Sequence, residues 1–385
     1  MPEQPRQLEQ QYAPESNRLE QYAARYLRKR LGGEQDAVSG LAAQDVQQLI
    51  HLQRRAVIWA ALAGAISGGI LGLGEVILRQ YFIGDAEAAS WSDQIPHWTV
   101  YGIIALIVSA IEILFLYWNA LNGTSRLAHM TGLPQDARGE IIVRGLARAA
   151  LEFPNPRAPI YGVDPYARTP RWKLLAWAAM YRMKVGVTSF ILRVLLRRML
   201  GRAALRTVIP LVAGPLYAFW NGIITYRIIR AARMRAFGLH AIDALARRLL
   251  AEREQWSEAA KRLTLEAVAE SIMRSEDAHP NYALLLARLA RDLDIAPQDM
   301  RCDWKRAVRE LAQLEPHEQD AVLEVLALAT VLDGRIRRRD RALLAQAHTA
   351  CGRGFRPERL RYLREQILRG QGGADQRLTA VWAGA

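Results

Sequence analysis

Two long apolar runs interrupt an otherwise mixed pattern of polar and apolar residues. Residues 56–78 and 98–121 each carry a single charged side chain, Glu75 and Glu112 respectively. At 1.5 Å per residue they make roughly 34 and 36 Å of helix, enough to cross a hydrocarbon core of about 30 Å. The pattern predicts a transmembrane helical hairpin over 56–121, joined by a short loop. Elsewhere apolar positions recur at helical spacing. Leu265, Val268 and Ile272 share one stripe, Leu285, Leu289 and Leu293 a second, Val322, Val325 and Leu326 a third. Leu344, Ala347 and Cys351 line a fourth, and Leu360, Leu363 and Ile367 a fifth. Residues 17–30 place Leu19, Tyr22, Ala23, Tyr26 and Leu27 on one face of an amphipathic helix. The expected fold class is all-α.

The first run contains GAISGGILGLGEVIL, with Gly64, Gly68 and Gly72 four residues apart in line with Ala60. A glycine in a water-exposed helix interior costs about 1 kcal/mol relative to alanine. In lipid, helices associate through close backbone approach across small residues, so this ridge reads as a helix-packing surface. Its expected partner is the second span or the same ridge in another copy.

Charge gives the hairpin a direction. Arg28, Lys29, Arg30, Arg54 and Arg55 precede the first span, and Arg126, Arg138, Arg144 and Arg148 follow the second. The intervening loop has Arg79 against Asp85, Glu87 and Asp93. The positive-inside rule puts both ends in the cytoplasm, with Trp59, Tyr117 and Trp118 at the inner interface and Tyr81, Phe82, Trp98 and Tyr101 at the outer. The polar start, MPEQPRQLEQ, predicts no cleaved secretory signal. Cys302 and Cys351 lack ligand or redox spacing and fit buried thiols in a reducing compartment.

Glu112 lies fourteen residues in from Trp98, about 21 Å of helix rise, and Ser67 on the first span comes to a similar depth. An intramembrane carboxyl faces protein or water. Two readings stay open: a proton or ion site, or a neutral glutamic acid locking helices together.

Residues 150–170 are proline-rich and read as an irregular linker, completing a cytoplasmic helix and linker over 122–170. A basic segment, 171–238, follows. The chain's net charge is +14, and residues 165–242 hold fourteen basic side chains and no acidic one. In SFILRVLLRRMLGRAALR, the residues Arg193, Arg197, Arg198, Arg202 and Arg206 surround an apolar face, the pattern of a helix lying in the interface against anionic lipid headgroups. No nucleic-acid-binding motif accompanies them, so lipid is the expected partner. The hydrophobic stretch 207–226 contains Pro210, Gly214-Pro215 and Asn221 and predicts a broken, re-entrant or interfacial helix, with a full span as the alternative. The region 124–235 vaguely resembles a group of uncharacterised bacterial membrane proteins, which implies no activity.

Residues 239–385 have the composition of a soluble helical domain, and 326–352, LALATVLDGRIRRRDRALLAQAHTACG, resemble the TerB-like family of tellurite-resistance-type helical domains. Asp333, Gly334, Ile336 and Asp340 occupy the family's motif positions, with aspartate where glutamate is usual. Independently of the family, Gly334 suits a left-handed helix end, Ile336 a core plug, and Asp340 a helix first turn. The stretch AVAESIMRSEDAHPNYALLLARLARDLDI looks like a degenerate copy, with Glu276 and Asp277 where Asp-Gly would stand. The resemblance implies metal binding at Asp333 and Asp340, and a place in membrane-associated stress or defence assemblies. Arg335, Arg337, Arg338 and Arg339 crowd the same loop, and a hard cation wants six to eight oxygens, so capping and ion pairing is the default reading.

No Walker loop, Rossmann fingerprint, nucleophile elbow or zincin motif occurs. The histidines, His348 included, lack ligand spacing, and neither enzyme nor cofactor is expected. The reading is a bacterial inner-membrane protein with cytoplasmic termini, acting in binding or regulation through protein partners of its C-terminal domain, homo-oligomerisation remaining open. The alternatives are a small transporter or channel using Glu112, Ser67 and Asn221, and a soluble lipid- or RNA-binding module.

Overall fold

The computed structural model describes residues 17–31, 43–82, 91–134, 136–252, 256–295 and 303–371; the side chains at 43, 91–94, 178, 180–212 and 250–252 fall outside that description. Within it the chain is all-helical, with one isolated antiparallel bridge between Ile160 and Val163. The helices are α1 (Arg18–Leu31), α2 (Ala43–Phe82), α3 (Trp91–Thr131), α4 (Ala137–Ala150), α5 (Arg171–Glu252) and α6 (Glu258–Ser275). They continue with α7 (Pro280–Asp292), α8 (Trp304–Leu311), α9 (Pro316–Val331), α10 (Arg338–Ala350) and α11 (Pro357–Leu368). They divide into two compact units.

One unit takes His51–Gly123 and Thr169–Arg227, and so contains the greater parts of α2 and α3 and a stretch of α5. Two of its helices, Gln44–Phe82 and Ile95–Thr131, are long and apolar enough to cross a membrane. They run antiparallel: the Asn119 amide donates to the Ala56 carbonyl at 2.8 Å. Ala60, Gly64, Ser67, Gly68, Leu71 and Gly72 are buried along one stripe of α2. The ridge is a packing surface, and within the chain Gly64 and Gly68 meet α5. A Cβ on Gly64 would stand 2.5 Å from the Tyr217 carbonyl oxygen, and one on Gly68 2.8 Å from that of Ala213. The backbones approach as closely as they do because both side chains are missing. Residues 207–226 lie within a helix that runs through Pro210 and Gly214-Pro215, so the expected break is not seen.

The other unit gathers Met1–Ile50, Thr124–Arg168 and Ile228–Ala385. Its α1 packs on α4. The buried face of α1 is Glu20, Ala23, Ala24 and Leu27, whereas Leu19 and Tyr22 are exposed. Ala23 and Leu27 of the expected face are thus buried and Tyr26 half-buried, and the unexpected member is Glu20, which Arg148 holds at 2.7 Å with both side chains mostly covered. The proline-rich stretch is no free linker. Arg168 donates twice to the fully buried Glu270, and Asn155 bonds both Asp277 and Arg235.

The remaining helices form an internal repeat. The helices α6 and α9 begin at 258 and 316, and α7 and α10 run 280–292 and 338–350, each pair 58 residues apart. The left-handed residues keep the same spacing: Glu276 matches Gly334, and Asp294 matches Gly352. The equivalent helices α6 and α9 pack extensively on one another. Leu263, Leu265, Val268 and Ile272 of α6 and Val325, Leu326 and Val331 of α9 are buried, as are Leu285, Leu289, Leu343, Leu344, Leu360 and Ile367. The five expected stripes are all buried, Cys351 alone remaining half-buried, its thiol pushed up to about 11 by burial.

Candidate functional site

The three polar residues singled out from the apolar stretches of the sequence converge. In the first unit Asn221 of α5 donates its side-chain amide to Glu112 of α3 at 2.6 Å. Ser67 of α2 is the carboxyl's other side-chain hydrogen-bonding partner. The Ser67 hydroxyl also lies 3.2 Å from the carbonyl oxygen of Gly64, one turn back in its own helix. Ser67 and Asn221 are buried and Glu112 is half-buried. One residue from each helix thus meets at one level. Gly64 is part of this site as well as of the ridge, because a Cβ there would come 2.7 Å from the Asn221 amide nitrogen. Glu75 makes no part of it.

In the second unit the turn between α9 and α10 carries the other candidate residues. Gly334 has φ +78°, the left-handed conformation expected of it. Asp333 accepts from the Arg335 main-chain N–H at 2.8 Å and from the Arg337 guanidinium at 2.7 Å. Asp340, in the first turn of α10, accepts the Arg337 N–H at 2.7 Å, reaching back as a capping carboxylate. Ile336, expected to plug the core, is only half-buried. The Met234 side chain approaches Gly334 instead, so α5 supplies the plug. Burial raises the Asp333 carboxyl to about 6 against the pull of Arg337, and burial likewise raises Asp340.

Behind this turn lie two groups that periodicity had not marked. His279 caps α7 through its ring nitrogen and is wholly buried, and burial together with Arg235, Arg335 and Arg337 holds its pKa well below the usual histidine range. Asn281 is buried too and donates to the carbonyls of Met234 and Leu332 at 2.8 and 3.1 Å. The legible signal for both was the His-Pro-Asn run at a helix start, where a side-chain acceptor precedes a first-turn proline.

A hard cation at Asp333 and Asp340 fits poorly. Both carboxylates are engaged by Arg337, and among the described residues no group of three or more His, Cys, Asp or Glu side chains could hold a metal. His348, buried against Phe355 with ring centroids 5.6 Å apart, stands away from either set. The side chains of Arg193, Arg197, Arg198, Arg202 and Arg206 lie outside the described residues, although their backbone is helical. Comparison with protein-family models, curated proteins and solved structures finds no match to this chain.

Proposed function

We propose that this chain is an integral protein of the bacterial inner membrane, anchored by α2 and α3, whose repeat-containing unit is a cytoplasmic binding or regulatory module of TerB-like character. The supporting observation is an inversion of the soluble pattern. On α2, Ile58, Leu62, Ile66, Ile70 and Leu73 are 47–63% exposed while the small and polar Gly64, Ser67 and Gly68 are covered. On α3, Ile103, Leu106, Ile107, Ile111 and Leu114 are 53–72% exposed. An exposed apolar surface of this extent needs a covering phase, and helices of this length with aromatic ends match a bilayer. Trp59, Trp118 and Tyr81 at those ends are exposed as interface residues would be.

Residues 124–168 and 228–371 belong to one unit, so the side that holds one holds the other. With arginines flanking both spans, the positive-inside rule makes that side the cytoplasm. The basic stretch 193–206 then meets anionic headgroups, and the repeat unit is left to bind protein partners, in keeping with envelope or toxic-ion stress.

Alkaline carbonate extraction combined with reporter fusions at residues 88, 160, 235 and 385 tests this. The expected result is retention in the membrane pellet, with residue 88 reporting outside and the other three inside. Release into the carbonate supernatant, or a cytoplasmic signal at residue 88, overturns it.

A further inference from the structure

Glu112 stands at the meeting point of three helices with two neutral partners, and the hydrogen count at that point is informative. The Ser67 hydroxyl has one hydrogen and two acceptors in reach, the Glu112 carboxyl and the Gly64 carbonyl. When Glu112 is a carboxylate, Ser67 turns its hydrogen to it and Asn221 supplies a second donor. Gly64 then keeps its ordinary helical partner. When Glu112 carries a proton, its own O–H donates to Ser67 Oγ, Ser67 donates on to Gly64, and Asn221 still donates to the other carboxyl oxygen. Neither state leaves the Glu112 carboxyl, the Ser67 hydroxyl or the Gly64 carbonyl without a partner, a requirement that is strict inside a bilayer.

We propose that Glu112, with Ser67 and Asn221, is a proton-binding site within the membrane, able to take one proton from water and return it without rearranging the helices. The proposal rests on reading α2 and α3 as membrane spans. A proton fits the donor set better than a metal ion does: Asn221 turns its N–H groups toward the carboxyl, leaving too few oxygens for a cation shell. The groups acting on the carboxyl are neutral, and among the described residues no lysine or arginine reaches it. The other titratable groups nearest along the three helices are Glu75, two turns beyond Ser67, Tyr117, and Tyr217, one turn before Asn221. Glu112 is half-buried, with Ser67 and Asn221 covered beside it.

The full-length protein in phospholipid vesicles, first shown to resist carbonate extraction, provides the test. Infrared spectra should contain a protonated-carboxyl C=O band that shifts in D₂O and is lost in Glu112→Gln. That substitution keeps an oxygen for Asn221 and so preserves the fold, as circular dichroism can verify. Ser67→Ala removes the acceptor of the carboxyl O–H and should move the band to higher frequency without abolishing it. A hydrophobic carbodiimide should label Glu112, with labelling falling as pH rises. Carbonate-resistant protein with neither the band nor the label overturns the proposal while leaving the membrane reading intact; release by carbonate overturns both. A band that Ser67→Ala leaves in place overturns the relay.

Discussion

Asn281 and Arg339 hold the same place in the two halves of the repeat, 58 residues apart at the second residue of α7 and of α10, and each donates to a main-chain carbonyl of the other half. Asn281 reaches Leu332 at 3.1 Å, and Arg339 reaches Ser275 at 3.2 Å. Exchange of this kind is what a pseudo-twofold pairing of α6–α7 with α9–α10 produces. The two differ in setting, since Asn281 is fully buried and Arg339 is partly exposed and also pairs with Glu276. A Cβ on Gly238 would fall inside the Asn281 amide, so α5 has a notch for it.

Asn281→Leu should therefore cost more than Arg339→Ala. The first strands the Leu332 carbonyl and forces a branched chain into the notch at Gly238, a loss of about 2–4 kcal/mol. The second removes a half-exposed contact worth about 1 kcal/mol. Thermal melts of the full chain in mild detergent should rank the variants in that order, and equal shifts would count against the pairing.

The left-handed positions offer a second comparison between the halves. Gly334 and Gly352 have φ +78° and +68°, while their counterparts Glu276 and Asp294 carry side chains at +51° and +55°. A left-handed residue with a Cβ costs roughly 1–2 kcal/mol. Asp294→Gly should accordingly raise stability by up to about 1 kcal/mol, and Gly352→Ala, with open space around it, should lower it by a similar amount. Glu276→Gly should gain less, because it gives up the 2.8 Å pair with Arg339. The midpoint of urea unfolding, at constant slope, is the measurement.

The same spacing shows what a sequence reading could and could not reach. Matching acidic residues puts Glu276 on Asp333, whereas backbone conformation equates Glu276 with Gly334, one position away. The slip arises because a left-handed turn is legible only where glycine occupies it. Depth along a helix is arithmetic, so Ser67 and Glu112 were legible as neighbours before any packing was known. Asn221 was legible as a polar break in an apolar run, but its bond to Glu112 depends on α5 lying against the glycine ridge. The partner of that ridge was hidden because Pro210 and Gly214-Pro215 argue for a broken helix when read locally. Likewise Glu20 on the buried face of α1 is unreadable without Arg148, which lies 128 residues later.

Within the unit built on α2, α3 and α5, glycines should separate into two groups. Gly64→Ala places a methyl 2.5 Å from the Tyr217 carbonyl and against Asn221, pushing α5 away and breaking the bond to Glu112. Gly69 and Gly74, on the same helix, have open space where a Cβ would go. Alanine there should be neutral or stabilising by up to about 1 kcal/mol. A cysteine pair placed across α2 and α5 should lose its crosslinking yield in Gly64→Ala and keep it in Gly69→Ala. Equal behaviour of the two would mean that the ridge does not pack on α5.

The turn around Asp333 makes two opposing contributions to pH dependence. Asp333 has a folded-state pKa raised from 3.8 to about 6, so the folded chain holds that proton more tightly than the unfolded one. Its contribution is fully present below about pH 4 and is lost as pH rises through about 6, a change on the order of 2–3 kcal/mol. His279 works the other way. Its folded pKa is depressed well below 6.5, so the unfolded chain takes up the proton first and stability falls as pH drops below about 6.5. The two overlap between about pH 4 and 6.5 and partly cancel in the native chain. Asp333→Asn removes the first and should steepen the acid-side loss of stability in that window. His279→Asn keeps an N-cap acceptor for α7 while removing the titrating ring, and should flatten the profile or reverse it, leaving stability that increases toward pH 4. Urea midpoints collected from pH 4 to 8 for the two variants should diverge on the acid side and run parallel above pH 7. Parallel curves over the whole range would mean that neither group titrates within the folded turn.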